Sequence, residues 1–232
     1  MKHPKILSKD IVSINIQKSK LFGFGLILVF GLFFTSSQYV EAQSTAPTQQ
    51  LHRPIFEWDG QTWKITQANG ITATWEKTNI VTIEGTGTQS GWQSFGQLQK
   101  KLNSNTASVD IASYPLPAGI GTGSFWFLKD EQNAIIIEKH RDTIFPHYNS
   151  NLFIVERING NDTHAFVHVD PPSRGWDNYR IAKISGGFEV YYNNILVYTG
   201  SIDIANFDEV RISAHVNGAG DQVKSAFKNY QE

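Results

Sequence analysis

Short β-rich runs separated by turn-forming residues dominate the chain from Ile55 onward. Gly, Asn, Asp and Pro clusters stand between these runs, which is the pattern of consecutive strands and tight turns. No long stretch repeats its apolar residues every 3.6 positions, and "FGQLQKKL" (95–102) is the one helix-like candidate. The sequence therefore predicts an all-β fold. The predicted strands are 62–66, 72–77, 80–85, 108–113, 123–128, 133–140, 152–158, 164–169, 178–184, 188–192, 195–200, 209–216 and 223–230.

Several of these runs alternate between apolar and polar residues. In "EVRISAHV" the apolar set is Val210, Ile212, Ala214 and Val216, and the polar set is Glu209, Arg211, Ser213 and His215. In "HAFVHV" the apolar set is Ala165, Val167 and Val169, opposite His164, Phe166 and His168. Successive strand side chains point to opposite faces, so each strand has one side that faces the core and one that faces solvent, which we call its wet face. A dozen such strands predict two antiparallel sheets packed as a β-sandwich.

A hairpin is predicted in "GGFEVYYNNILVYTG". Asn tolerates positive φ, so Asn193-Asn194 suits a two-residue type I′ turn. That turn would pair Tyr192 with Ile195, Val190 with Val197 and Phe188 with Thr199. The opposite, outer face of the hairpin would then carry Glu189, Tyr191, Leu196 and Tyr198.

The first 54 residues have a different composition. A lysine-rich segment (1–20) precedes the apolar run 21–34 and then "TSSQYVEAQS", which is typical of a secretory signal peptide cleaved after Ala42. We therefore expect a signal peptide over 1–42, a polar linker over 43–54 and one β-sandwich domain over 55–232, exported to the periplasm or the exterior. An uncleaved membrane anchor is the alternative, although the apolar run is shorter than the roughly 20 residues of a spanning helix.

Charge and cysteine content exclude several functions. The chain has no cysteine, which removes thiolate catalysis and cysteine-ligated zinc. Residues 43–232 hold 15 basic and 19 acidic side chains. An acidic excess argues against a nucleic-acid partner, because phosphate binding needs a basic patch.

His164 and His168 have the spacing of a metal-ligand pair on a helix. On a strand, however, four residues span about 13 Å. Two nitrogens on one zinc ion lie about 3–4 Å apart, so this pair cannot share an ion if the segment is a strand. The sequence leaves metal binding undetermined and predicts no cofactor. Calcium stays possible through Asp170, Asp177 and Asp221, since carboxylates are its usual ligands.

Three segments resemble a known superfold. They are "AGIGTGSFWFLKDEQNAIIIEKHRD", "NYRIAKISGGFEVYYNNILVYTG" and "FDEVRISAHVNGAGDQVKSAFKNY". Together they resemble the concanavalin A-like jelly roll, as found in laminin-G-like domains and bacterial lectin or glucanase modules, mainly over residues 118–230. The resemblance implies a fold and leaves the function open, because this superfold holds lectins, hydrolases, lyases and adhesion modules.

The glucanases of this superfold carry a Glu-x-Asp-x-(x)-Glu motif along one strand, which supplies an acid and a nucleophile. The matching strand here, "NAIIIEKH", has isoleucines at 135–137 and only Glu138 as an acid. This departure argues against hydrolysis of that type. A lyase would need Arg, His, Tyr and an amide converging on one sheet. The wet faces offer His140, His164, His168, Arg157, Arg180, Arg211, His215 and Tyr191.

Aromatic residues favour carbohydrate binding, because ring faces stack on the apolar faces of sugars. Trp63 and Trp75 lie in strands and are predicted to be buried, whereas Trp176 lies in the loop "DPPSRGWDN". We expect a secreted, non-catalytic module that binds a polysaccharide or glycoconjugate. The alternatives are a jelly-roll hydrolase or lyase and a cell-envelope adhesion or structural module. The predicted carbohydrate contacts are Trp176, Tyr191, Tyr198, His168 and Arg211.

Overall fold

A computed structural model of the protein describes residues 55–232, except 77–78, 115–118, 145 and 170–174. The predicted signal peptide, its alternative as a membrane anchor, and the predicted linker lie outside the described residues. Within the described part there is no helix with the length and apolar character that a bilayer crossing requires. The side chain of Trp75 and the predicted calcium ligand Asp170 also lie outside what is described.

Fifteen strands and one 3₁₀ turn (Pro146–Ser150) make up the described chain. The strands are β1 (Ile55–Trp58), β2 (Gln61–Ala68), β3 (Ile71–Glu76), β4 (Ile80–Thr86), β5 (Ser94–Lys101), β6 (Thr106–Ser113), β7 (Ile120–Asp130), β8 (Asn133–Asp142), β9 (Asn151–Ile158), β10 (Asn161–His168), β11 (Asp177–Ile184), β12 (Gly187–Tyr192), β13 (Ile195–Gly200), β14 (Glu209–Val216) and β15 (Gln222–Gln231). All pair antiparallel in two sheets. The eight-stranded sheet has the order β1-β2-β5-β14-β7-β8-β9-β10, and the seven-stranded sheet has the order β13-β12-β11-β6-β15-β4-β3.

The core lies between the two sheets. Large side chains fill it from both inner faces: Trp63, Phe125 and Phe127 from one sheet, and Tyr179, Phe188 and Phe227 from the other. The alternation predicted for β14 is confirmed, since its apolar set is fully buried in this core. This architecture confirms the predicted two-sheet antiparallel sandwich.

The helix-like candidate at 95–102 does not form a helix, because this segment is strand β5. It lies between β2 and β14, so its backbone groups are paired on both sides. Ser94, Gly96 and Leu98 face inward, and the intervening residues face outward. Gln, Lys and Leu are good helix formers, but propensities differ by less than about 1 kcal/mol per residue, and pairing with two neighbouring strands overrides that preference.

The hairpin prediction is confirmed at its turn and wrong beyond it. Asn193 (φ 50°) and Asn194 (φ 65°) both adopt positive φ, and Tyr192 pairs with Ile195 as expected. A β-bulge between Val190 and Tyr191 then shifts the register, so Val190 pairs with Tyr198 rather than Val197.

The same shift pairs Phe188 with Gly200 rather than with Thr199. The Phe188 ring occupies the space beside Gly200, where a Cβ would lie 2.1 Å from a ring carbon. Tyr198 consequently packs against the core, with its ring 5.9 Å from that of Phe188. Its predicted position on the outer hairpin face is wrong.

We expect Asn194→Gly to leave the melting temperature unchanged or raised, because Gly is the favoured second residue of a type I′ turn. Asn194→Val should lower stability by about 1 kcal/mol or more, because a β-branched residue resists positive φ. Thermal unfolding of both variants measures the difference. Equal melting temperatures would contradict this account of the turn.

Candidate functional site

A continuous row of side chains crosses the outer face of the eight-stranded sheet. Each residue is the Cα partner of the next, across six adjacent strands from β5 to β10. In order the row is Gln97, Ser213, Ser124, Glu138, Phe153 and Phe166. Adjacent strands lie about 4.8 Å apart, so the row is about 24 Å long. A face of this length can contact several units of an extended ligand.

Glu138 sits in this row between two histidines. Its Oε1 lies 3.3 Å from Nε2 of His140 and its Oε2 lies 3.4 Å from Nε2 of His215. Burial by itself would raise the pKa of Glu138, but the hydrogen bonds from His140 and His215 outweigh it and lower the pKa. Glu138 is therefore an ionised carboxylate at neutral pH. We refer to these three residues as the His–Glu–His cluster.

Aromatic rings border the His–Glu–His cluster on two sides. The Trp92 ring stands edge-on to His215 at 4.9 Å, and Phe153 stacks on His140 at 4.0 Å. Phe166 contacts Phe153 at 4.9 Å in turn. Trp92 is 38% exposed and Phe166 is 57% exposed. Trp92 also adopts a φ of 63°, which is unusual for a bulky residue. Two accessible rings therefore flank a charged polar centre.

A second polar group lies further along the same face. Arg211 lies 5.0 Å over the Trp126 ring and donates hydrogen bonds to Gln99 (2.9 Å) and Glu131 (2.5 Å). Arg211 is only 3% exposed, so these partners already occupy its guanidinium. The Trp126 indole donates to Ser124 (2.7 Å), which links this group to the central row.

The predicted carbohydrate contacts do not come together in one place. His168 and Arg211 lie on the outer face of the eight-stranded sheet, His168 exposed and Arg211 buried. Tyr191 belongs to the seven-stranded sheet, where the Arg180 guanidinium covers its ring at 3.7 Å. Trp176 directly precedes β11 of that sheet, is half-buried, and has Lys228 Nζ 4.3 Å from its ring.

Tyr198 is separated from both outer faces. Its hydroxyl donates to Glu156 (2.8 Å), and burial raises its pKa to about 12. The roles of all five predicted contacts in carbohydrate binding stay predictions. Their positions nevertheless divide them between two opposite faces and the interior.

His164 and His168 lie four residues apart on strand β10, and at that separation along a strand the two imidazoles cannot share one metal ion. Among the described residues, no group of three or more His, Asp or Glu side chains is placed to hold a metal ion. Asp177 is buried beside Lys139, and Asp221 accepts hydrogen bonds from the backbone of Ile120 and Gly218.

Strand β8 lacks the paired carboxylates of a glycosidase. Its outward positions from Ala134 to His140 include one acid, Glu138, whose neighbours on the adjacent strands are Ser124 and Phe153. Retaining glycosidases place two carboxyl groups about 5–5.5 Å apart. Asp142, the last residue of β8 on the same side, is buried, and its Oδ1 accepts a hydrogen bond from the backbone N–H of Ile144 (2.8 Å). The outer face of β8 therefore offers acid/base groups but no pair of accessible carboxylates.

The sequence places His140 and His215 on wet faces and shows Glu138 as the one acid of its strand, but it does not bring the three together. The alternation in "NAIIIEKH" puts Glu138 and His140 on one side. His215 reaches them because β14 and β8 both pair with β7. Trp92 lies in a bend, and its sequence carries no signal for this position.

No protein-family model matches the chain, and no curated protein matches it significantly. Solved structures do match. The carbohydrate-binding module CBM66 of Bacillus subtilis aligns with a TM-score of 0.50 at 17% identity, over 72% of this chain and 95% of that one. A Bacillus licheniformis β-glucanase aligns with a TM-score of 0.51 at 12% identity, over 77% and 94%.

An alginate lyase from Corynebacterium sp. aligns with a TM-score of 0.52 at 17% identity, over 73% of this chain and 92% of that one. Identities this low show the fold alone. They confirm that the chain is a concanavalin A-like jelly roll, a fold shared with proteins that bind or act on carbohydrates.

Proposed function

We propose that this protein is a secreted module that binds a polysaccharide or glycan without cleaving it. The binding surface is the outer face of the eight-stranded sheet, from Trp92 across the His–Glu–His cluster to Phe166. The observation that carries the proposal is the pair of exposed rings flanking partly buried polar groups on one face. Sugars offer apolar ring faces for stacking and hydroxyl groups for hydrogen bonds.

One observation supports binding rather than hydrolysis. The outward positions of β8 from Ala134 to His140 carry one carboxylate, and both of its oxygens already contact histidines. The matched structures include a carbohydrate-binding module and a β-glucanase, which supports a carbohydrate ligand for either class. Export is supported only by the signal-like sequence over residues 1–42.

A polysaccharide lyase is the second candidate, because one observation favours it. Glu138 contacts Nε2 of two imidazoles, and a carboxylate in that position orients a histidine that could act as a general base. A matched structure is an alginate lyase. Unsaturated products released from any polyuronate, and lost in Glu138→Gln, would establish this activity and refute the non-catalytic proposal.

We expect Trp92→Ala to weaken glycan binding by about tenfold, which corresponds to about 1.4 kcal/mol of lost stacking. Affinities in the micromolar to millimolar range are expected, since a shallow sheet face desolvates few ligand atoms. Calorimetric titration with β-glucans, alginate, pectin and host glycans measures the change.

Trp176→Ala is the matched control, because this tryptophan lies by the other sheet beneath Lys228. It should leave the affinity unchanged. A larger loss in Trp176→Ala than in Trp92→Ala would move the site to the side of Trp176, which the sequence predicts as a carbohydrate contact. Retention of no glycan would instead favour an adhesion or structural role.

A further inference from the structure

Four histidines share the outer face of the eight-stranded sheet. His215 of β14 and His140 of β8 are both Cα partners of Thr122. His164 and His168 project from the same side of β10, and both are exposed. Every histidine whose side chain the structure describes thus lies on the face proposed to bind glycan.

The fixed charges of this face are largely compensated. Arg211 is paired with Glu131, and Arg157 forms a two-point ion pair with Asp162 (2.7 and 2.9 Å). At the far end of the face, Lys101 lies opposite Glu209 in the strand register, and Lys64 of β2 lies opposite Gln99. Strand β7 contributes the neutral Thr122 and Ser124 at the level of the cluster.

The four imidazoles therefore decide the charge of the central face. Counting these imidazoles and Glu138 alone, the net charge is −1 with all four imidazoles neutral and +3 with all four protonated. Asp142, the next outward position of β8 after His140, adds a buried carboxylate at the edge of this face. Histidine is the side chain whose unperturbed charge change falls between about pH 5 and 8.

We propose, on the basis of the proposed function, that the glycan bound here is an acidic polysaccharide and that it is captured while these imidazoles are protonated. The negative charge of the ligand comes from carboxylate or sulfate groups on its sugar units. His164 and His168 supply accessible cations beside the Phe166 ring, and His140 and His215 supply cations beside Trp92. Rings and cations together match a chain that alternates apolar sugar faces with anionic groups.

The test uses the full-length protein and matched polymer pairs. Polygalacturonate, alginate and hyaluronan are each compared with their methyl-esterified forms, and dextran sulfate is compared with dextran. Affinities are measured at about pH 5.5 and about pH 8, a range over which histidine titrates while sugar carboxylates stay ionised. We expect at least one acidic polymer to bind about tenfold or more tightly at the lower pH, and its neutral counterpart to show no such dependence.

Three variants show which side chains cause the pH dependence. The double variant His164→Ala/His168→Ala should lose most of it. His164→Lys/His168→Lys keeps positive charge at both pH values, so it should bind at about pH 8 as tightly as the unmodified protein binds at about pH 5.5. Lys228→Ala removes a cation from the opposite sheet and should change nothing. Far-ultraviolet circular dichroism verifies each fold, and His168→Lys alone serves if a double variant unfolds.

The outcomes separate this inference from the proposed function. Equal, pH-independent binding of a polymer and its neutral counterpart would overturn the acidic ligand while leaving glycan binding intact. Stronger binding of sulfated than of carboxylated polymers would identify sulfate as the charged group. Retention of no polymer at either pH would overturn both proposals.

Discussion

Lys139→Met is expected to lower the free energy of unfolding by about 3–5 kcal/mol. Lys139 is 1% exposed and lies between the sheets, with its Nζ 3.4 Å from Asp177 and 2.7 Å from the Tyr192 hydroxyl. Methionine preserves most of the volume but leaves Asp177 as a buried charge without its ammonium partner. Equilibrium unfolding in urea measures the loss as a lower midpoint with an unchanged slope.

The double variant Lys139→Met/Asp177→Asn is the matched control. It removes both charges while an amide remains within reach of Asn193 and Tyr192, so it should recover a large part of the lost stability. The two single effects should then add up to more than the effect of the double variant. A single Lys139→Met variant as stable as the unmodified protein would show that this ion pair does not form.

Trp63→Ala should cost about 3–5 kcal/mol, the range measured for removing a large aromatic side chain from a core. The Trp63 ring is completely buried, 5.2 Å from Trp58 and 4.8 Å from Tyr230, and its indole donates to the Trp58 carbonyl (3.3 Å). Few neighbours can collapse into the space, since Trp58 and Tyr230 are themselves rigid rings.

Trp92→Ala is the control for Trp63→Ala, because it removes the same side chain from an exposed position. Its cost in stability should stay below about 1 kcal/mol, although it should weaken glycan binding. Comparing Trp63→Ala with Trp92→Ala therefore distinguishes a loss of stability from a loss of glycan binding. Similar stability losses in both variants would contradict the placement of Trp92 at the surface.

Local sequence patterns predicted the parts of the fold that depend on local chemistry. Alternation in β14 and β10 assigned each residue to a face, and the Asn193-Asn194 pair predicted its turn. The helix-like candidate at 95–102 is a strand although Gln, Leu and Lys are good helix formers, because intrinsic propensity is a weak preference that tertiary context overrides. Pairing with β2 and β14, which lie far away in sequence, decides the conformation of that segment.

Strand periodicity and turn residues act over a few positions, so local patterns were enough to predict an all-β sandwich with a jelly-roll resemblance. The position of the candidate site depends instead on how distant strands are arranged. Glu138 meets His215 because β14 and β8 flank β7, and Trp92 completes the group from a bend before β5. The register of the hairpin likewise depends on packing: Phe188 pairs with Gly200, its ring fills the space beside that glycine, and Tyr198 turns inward. These contacts depend on strand order and side-chain volume across the sandwich, which no local pattern encodes.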